Sequence, residues 1–293
     1  MRLTTKILAV LIAALLTLSF CACGNTEVPE ESQKAERTSK RKTEKTTAGP
    51  DGTTEAPEPA ETDQAESAEQ PADKPYNVVS LKEARPGDVI VFGSYEQDGD
   101  TSNGKEPLEW LVLGSKDGSL FVMTLYAIEH MQFHSSLSKV TWETSALRAW
   151  LNNDFITAAF SESESSAIKL STIIAEKNPD YPNSPAGNDT EDKVFLLSVQ
   201  EIDLLFKDSN SRKCAPTAAV VAGSNVFSRS NKAWYADSDY LCGWWLRSPG
   251  MFKDTYVSYV NHSGSVSAGG QVFLSGTDLC VRPAMWINVS NQG

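Results

Sequence analysis

Arg247 and Arg282 both lie inside strand-like apolar runs. A guanidinium held in a strand must face water or find a carboxylate or carbonyl partner. The pair reads as a hydrogen-bonded framework, with the floor of a site as the alternative. His130 and His134 have the spacing of two metal ligands on one helix face. The residue after His130 is Met131 rather than the glutamate of a zinc-protease motif, and the run follows a strand-like segment, where residues four apart are not neighbours. No metal site is expected there. Ser136-Leu-Ser-Lys139 and Ser166-Ala-Ile-Lys169 have serine–lysine spacing without the companion motifs of penicillin-binding enzymes. Asp98 to Glu109 has the cadence of a calcium loop, but Gly104 falls one place late and no helices flank it, so a polar hairpin loop is expected. Gly-x-Ser-x-Gly elbows, phosphate loops and dinucleotide fingerprints are missing from the sequence. No catalytic residue and no cofactor is therefore expected.

A surface remains. Trp234, Tyr235, Tyr240, Tyr256, Tyr259 and His262 lie in or beside expected loops of the C-terminal half. Aromatic side chains on loops of a rigid scaffold can stack on sugars or anchor a protein partner. Trp234, Tyr235, Tyr256, Tyr259 and His262 are the candidate ligand-binding residues. Trp244, Trp245 and Trp286, with Arg247 and Arg282, are expected to form a structural framework.

These residues require a sheet-rich scaffold. Asp88–Tyr95, Leu108–Leu113 and Ser119–Leu125 read as strands, and Lys116-Asp117-Gly118 as a tight hairpin turn. Trp142–Asn152 reads as a helix with Leu147, Trp150 and Leu151 on one face. Ser161-x-x-Glu164 and Ser198-x-x-Glu201 read as capping boxes of further helices. Residues 178–192 read as an exposed loop, Val194–Leu197 as a strand and 207–241 as a largely irregular stretch. From 242 onward, aromatic and β-branched runs alternate with Gly, Asn and Pro clusters, the pattern of short strands joined by turns. The fold class expected is α+β.

The ordered run Trp244-Trp245-Leu246-Arg247-Ser248-Pro249-Gly250, Tyr256-Val257-Ser258-Tyr259, Gly264-Ser265-Val266 and Val281-Arg282-Pro283-Ala284-Met285-Trp286-Ile287 resembles a bacterial domain family of unknown function. That family occurs mostly in surface proteins of Gram-positive gut bacteria. The resemblance also takes in Phe92-Gly93-Ser94-Tyr95, Glu109-Trp110-Leu111, Trp142-Glu143-Thr144, Leu147-Arg148, Trp150-Leu151-Asn152 and Lys213-Cys214-Ala215-Pro216-Thr217, so it spans nearly all of 77–293. The C-terminal half of the family is similar to the C-type-lectin-like fold of formylglycine-generating enzymes, which implies that fold for this chain. Neither activity of that fold class carries over. Cys280 has no closely spaced second cysteine, and only Glu106-Pro107-Leu108 comes near a calcium-lectin motif, in the wrong part of the chain.

Residues 1–23 read as an export signal: Arg2 and Lys6, an apolar stretch from Ile7 to Leu18, then Ala22-Cys23 at a lipobox-like end. Cys23 is the expected lipidation site, and two acyl chains suffice for stable anchoring. Residues 24–76 are rich in Glu, Thr, Ala, Pro and Lys and read as a disordered linker. Residues 77–293 are expected to form one globular domain. The formal net charge of −12 argues against a nucleic-acid partner, because phosphate binding needs a basic face. Cys214, Cys242 and Cys280 leave an odd count in the domain; if one pair bonds, Cys242–Cys280 is preferred. The sequence thus describes a lipoprotein on the outer face of the bacterial cytoplasmic membrane, binding an extracellular glycan or protein. An extracytoplasmic enzyme and a structural envelope protein are the alternatives.

Overall fold

The computed structural model describes residues 74–224, 228–229, 233–236, 238–251, 254–272 and 279–289. All belong to the unit Ser67–Gly293. Cys23, the export signal and nearly all of the expected linker lie outside the described residues. No described helix is long and apolar enough to cross a membrane.

The first strands among the described residues are β1 (Val89–Tyr95), β2 (Glu106–Lys116) and β3 (Ser119–Thr124). Lys116 faces Ser119, and the turn between them has φ 49° at Asp117 and 69° at Gly118. Two successive positive φ values match the right-handed twist of the flanking strands, which is what Asp-Gly supplies. A short β4 (Glu129–His130) precedes α1 (Ala146–Trp150), a π-helical turn (Leu151–Phe155) and α2 (Ile156–Ala159), which run as one continuous rod. Leu147, Leu151, Phe155 and Ala159, at spacings of four, bury its inner face.

This helix begins later than the sequence pattern predicts. Ser145 caps it by accepting the Arg148 N–H at 3.1 Å. Trp142 stays outside, where its indole donates to buried Asp192 at 2.9 Å. α3 (Glu162–Ala167) and α4 (Val199–Leu205) start at the capping boxes of Ser161 and Ser198. Between them run β5 (Ser171–Ile173), β6 (Thr190–Asp192) and β7 (Val194–Phe195). Then come α5 (Ser209–Arg212), α6 (Ala218–Ala222), β8 (Ser228–Arg229) and β9 (Tyr240–Leu241). The chain ends with β10 (Gly243–Pro249), β11 (Tyr256–Val260), β12 (Val266–Val272), β13 (Leu279–Val281) and β14 (Ala284–Asn288).

Two five-stranded sheets carry the core, in the orders β1-β2-β3-β14-β7 and β12-β11-β10-β13-β4. β10 and β13 are parallel, and the other described pairings within these sheets are antiparallel. β13 and β14 are joined only by Arg282-Pro283, so the chain steps from one sheet to the other at Arg282.

The stretch 178–192 is mostly the exposed loop that its Pro, Asn and Gly content suggests, ending in β6, but two of its side chains tie it down. Asn178 is buried, and its side-chain amide donates to the carbonyls of Pro249 at 2.7 Å and Ala268 at 2.8 Å. Ser184 donates to the Gly250 carbonyl at 2.6 Å. Strand register shifts between Trp245 and Pro249 in β10–β11 and between Val257 and Tyr259 in β11–β12, and these polar side chains bond carbonyls beside the two irregularities.

Gly93 permits a close approach of β1 to α3 and the residue before its cap. Its φ is 74°, and a Cβ there would come within 2.6 Å of the Phe160 ring. Only glycine permits that approach. The Gly93 N–H also donates to the Glu164 carboxylate at 3.1 Å, tying β1 to the cap of α3.

Candidate functional site

Arg247 lies on β10 beside the N-terminus of α4. One Nη donates to the Leu196 carbonyl at 2.8 Å, and both Nη atoms meet the Glu201 carboxylate, Nη2 at 3.1 Å from Oε1. The same carboxylate closes the capping box by accepting the Ser198 N–H at 2.8 Å. The guanidinium also lies 6.0 Å from the centre of the Phe195 ring. The neighbouring cavity, lined in part by Trp142, Ser198 and Arg247, is only about 10 Å³. That is room for about one water. Arg247 is therefore not the floor of a ligand site.

Arg282 is buried differently. Its Nε donates to the Thr124 carbonyl at 2.8 Å and Nη2 to the Leu125 carbonyl at 3.3 Å. Its guanidinium lies 5.2 Å from the centre of the Trp244 ring. Thr124 and Leu125 end the first sheet and Trp244 belongs to the second, so Arg282 joins the two where the chain crosses. Its Nη1 and the Thr124 Oγ1 have no hydrogen-bond partner among the described residues. Trp244 and Trp245 are buried, their indoles donating to the Arg212 carbonyl at 3.2 Å and the Met131 carbonyl at 3.0 Å. Trp286 is only half-buried. It stacks on Phe121 at 4.8 Å and also lines a cavity of about 210 Å³ with Lys116 and Lys169.

Cys214, Cys242 and Cys280 are free, buried thiols. The preferred Cys242–Cys280 bond is not formed: Cys280 sits opposite Trp244 and His130, while Cys242 sits opposite Cys214 and donates its N–H to the Cys214 carbonyl at 2.9 Å. Burial pushes the thiols of Cys214 and Cys242 well up from the usual range, which keeps them protonated and inert.

The five candidate binding residues do not form one surface. Tyr235 is only 2% exposed. Its hydroxyl accepts the Ala215 N–H at 3.1 Å and reaches the Lys213 carbonyl at 3.4 Å. The polar neighbours of Tyr235 in sequence suggest a surface residue; instead it anchors the loop to the core and is not available to a ligand. Trp234 is 47% exposed. Its ring meets Tyr235 edge-on at 5.1 Å and Tyr76 edge-on at 6.4 Å. Tyr126 supports Tyr235 from another side at 5.3 Å. The Tyr76 hydroxyl donates to Glu109 at 2.8 Å, and Lys74 forms an ion pair with the same carboxylate. Burial, and then the Glu109 carboxylate, push the Tyr76 hydroxyl far above its ordinary range, so it remains a donor.

Tyr256 and Tyr259 are half-buried on β11, opposite Val272 and Ser267 of β12. Exposed His262 lies in the β11–β12 turn, where Asn261 Oδ1 accepts the N–H groups of Ser263 at 2.9 Å and Ser265 at 3.0 Å. Trp234 packs against Tyr76 and Tyr235, and none of the contacts described joins it to the β11 residues. Sequence reasoning missed Tyr76 as a neighbour of Trp234, and Lys74 and Glu109 as neighbours of Tyr76. The available signal was an aromatic residue closing a long polar stretch.

The histidines also separate. His134 Nδ1 accepts the Ala146 N–H at 3.2 Å at the start of α1, whereas His130 lies on β4. In the Asp98–Glu109 loop the acids cap turns: Asp98 accepts the Asp100 N–H at 2.7 Å, and Glu106 accepts the Gln97 N–H at 2.6 Å. Those hydrogen bonds, led by the Asp100 N–H at Asp98 and by Ser102 at Asp100, hold both aspartates below the usual carboxylate range. Carboxylate oxygens of Glu96, Asp98 and Glu106 lie within 4.8 Å of one another and could offer a cation hard oxygen ligands.

No curated protein and no solved structure gives a significant match to this chain. A family model described as a domain of unknown function (DUF6273) matches residues 117–289, from the β2–β3 turn to the residue after β14. Trp234, Arg247 and Arg282 fall inside that span, whereas Tyr76 and Glu109 precede it. By this match over more than half its length, the chain belongs to the DUF6273 family.

Proposed function

We propose that this protein is a cell-surface lipoprotein, anchored through Cys23 to the outer face of the bacterial cytoplasmic membrane, whose C-type-lectin-like domain binds an extracellular glycan. The observation that carries the reading is Trp234: an exposed indole fixed edge-on by Tyr76 and Tyr235, with Tyr76 in turn held by Glu109. A pre-fixed ring loses little freedom on binding, and its apolar face suits the C–H face of a sugar. A protein partner would need roughly 800 Å² on this side, far more than one indole offers.

The test is an array of glycans and cell-wall fragments probed with the full chain and with Trp234→Ala, with and without a calcium chelator. Tyr235 is left intact because its removal would open the core. Reproducible binding that falls at least roughly tenfold in Trp234→Ala, the loss of a typical hot-spot side chain, is the expected result. Binding abolished only by chelation would move the site to the Glu96–Asp98–Glu106 carboxylates. Cleavage of an arrayed fragment would favour an extracytoplasmic enzyme. No binding at all would sink the glycan reading and leave a structural envelope role ahead.

A further inference from the structure

We propose that the cleft between the end of β1, β4 and α6 is a second ligand site, which takes a small organic ammonium: a primary amine carried on a short apolar body. It is independent of Trp234. The cleft has a volume of about 210 Å³, and its lining includes Tyr95, Glu96, Glu129, His130, Val220 and Gly223. That volume is the scale of a small molecule, about twenty times the one-water cavity beside Arg247.

The chemistry of the lining is one-sided. Two of its residues are carboxylates, and no lysine or arginine lines it. Glu129 accepts the Tyr95 hydroxyl at 3.3 Å through Oε2 and the His130 N–H at 3.0 Å through Oε1. A carboxylate has about four lone-pair sites, so each oxygen keeps capacity for an N–H donor. Burial, and then Glu129, push the Tyr95 hydroxyl up to about 12, so it stays a donor to Glu129 and leaves the carboxylate charge in place. The Tyr95 ring is itself held edge-on by Phe155 at 5.4 Å, and an aromatic wall beside a carboxylate favours a cation. Ile128, Ala219 and Val220 supply apolar wall for a hydrocarbon body. A hard metal ion wants six or more oxygen ligands, and a wall half apolar does not provide them. An anion would meet like charge, and a neutral ligand would leave the carboxylates uncompensated.

The experiment is an amide-resolved NMR titration of the full chain with n-butylammonium, n-butanol, butyrate and calcium chloride as separate probes. n-Butylammonium is expected to shift the amides of Glu129, His130 and Val220, with n-butanol at least tenfold weaker. Glu129→Gln, which keeps an acceptor for Tyr95 but removes the charge, should weaken the amine at least tenfold. Gly223→Leu provides a variant that leaves every charge in place: Gly223 is exposed with φ −80°, and a Cβ there makes only ordinary contacts at 3.5 Å and beyond. It should fill the mouth and weaken the amine to a similar extent, while Trp234→Ala should leave it unchanged. Equal binding of n-butanol, unchanged binding in Glu129→Gln, cleft shifts with calcium but not with the amine, or no shifts with any probe would each overturn the proposal. Because the glycan array reads Trp234 and this titration reads Glu129, the two proposals fail separately.

Discussion

The surroundings of Arg247 and of Arg282 solve the same problem in different ways. Both put a guanidinium into a buried strand region. Arg247 meets a carboxylate that still touches water, since the Glu201 side chain is 28% exposed, and that carboxylate also caps α4. Arg282 has two backbone carbonyls and the Trp244 face, at the point where the chain leaves one sheet for the other. The first arrangement secures a helix end and the second joins two sheets. The cavity beside Arg247 has room for about one water. Both arginines therefore act as scaffold, and the two sites proposed above rest on other residues: Trp234 with Tyr76, and Glu129 with Tyr95.

This contrast can be broken by mutation. Arg282→Ala should have the largest effect, about 3–5 kcal/mol of lost stability, because it leaves a cavity and frees two buried carbonyls. Chemical denaturation measures it. Arg247→Ala should cost less, about 1–3 kcal/mol, because water can reach the Glu201 carboxylate that it abandons. Equal costs for the two variants would remove the distinction between them. Thiol labelling sharpens the Arg282 side. Cys214, Cys242 and Cys280 should react roughly 100-fold more slowly in the native chain than in denaturant, since access requires opening the core. Fast native labelling of any of them would mean that the sheet junction is looser than its burial indicates. The smallest stability effect belongs to Trp234→Ala, about 0.5–1 kcal/mol, because the half-exposed ring gives up its edge-on contacts with Tyr76 and Tyr235.

Features set by neighbours in sequence were legible in advance. The Asp117-Gly118 turn and the Ser161 and Ser198 capping boxes depend on a few adjacent residues, and the structure has each of them. The start of α1 was misplaced because Trp142 fits a helical apolar pattern, whereas its indole goes to Asp192, a partner from a distant strand. Tyr235 was misread for a related reason. Polar residues flank it in the sequence, but its burial comes from Ala215, Lys213 and Tyr126, which only the fold brings near. Asn178 and Ser184 looked like loop residues because Asn and Ser favour turns; here they bond carbonyls beside strand irregularities. The candidate sites were the least legible part. Trp234 was visible as an aromatic among polar residues, but Tyr76 joins it, and Glu109 joins Tyr76, from segments far away in sequence. The cleft at Glu129 was not visible at all, since it forms only when β1, β4 and α6 converge.

The most direct test of the central claim is a calorimetric titration of the best array ligand into the parent chain, Trp234→Phe, Trp234→Ala and Tyr256→Ala. The account predicts that Trp234→Phe keeps part of the affinity, Trp234→Ala loses at least roughly tenfold, and Tyr256→Ala matches the parent. Loss of binding in Tyr256→Ala with full affinity in Trp234→Ala would contradict it and place the site on β11.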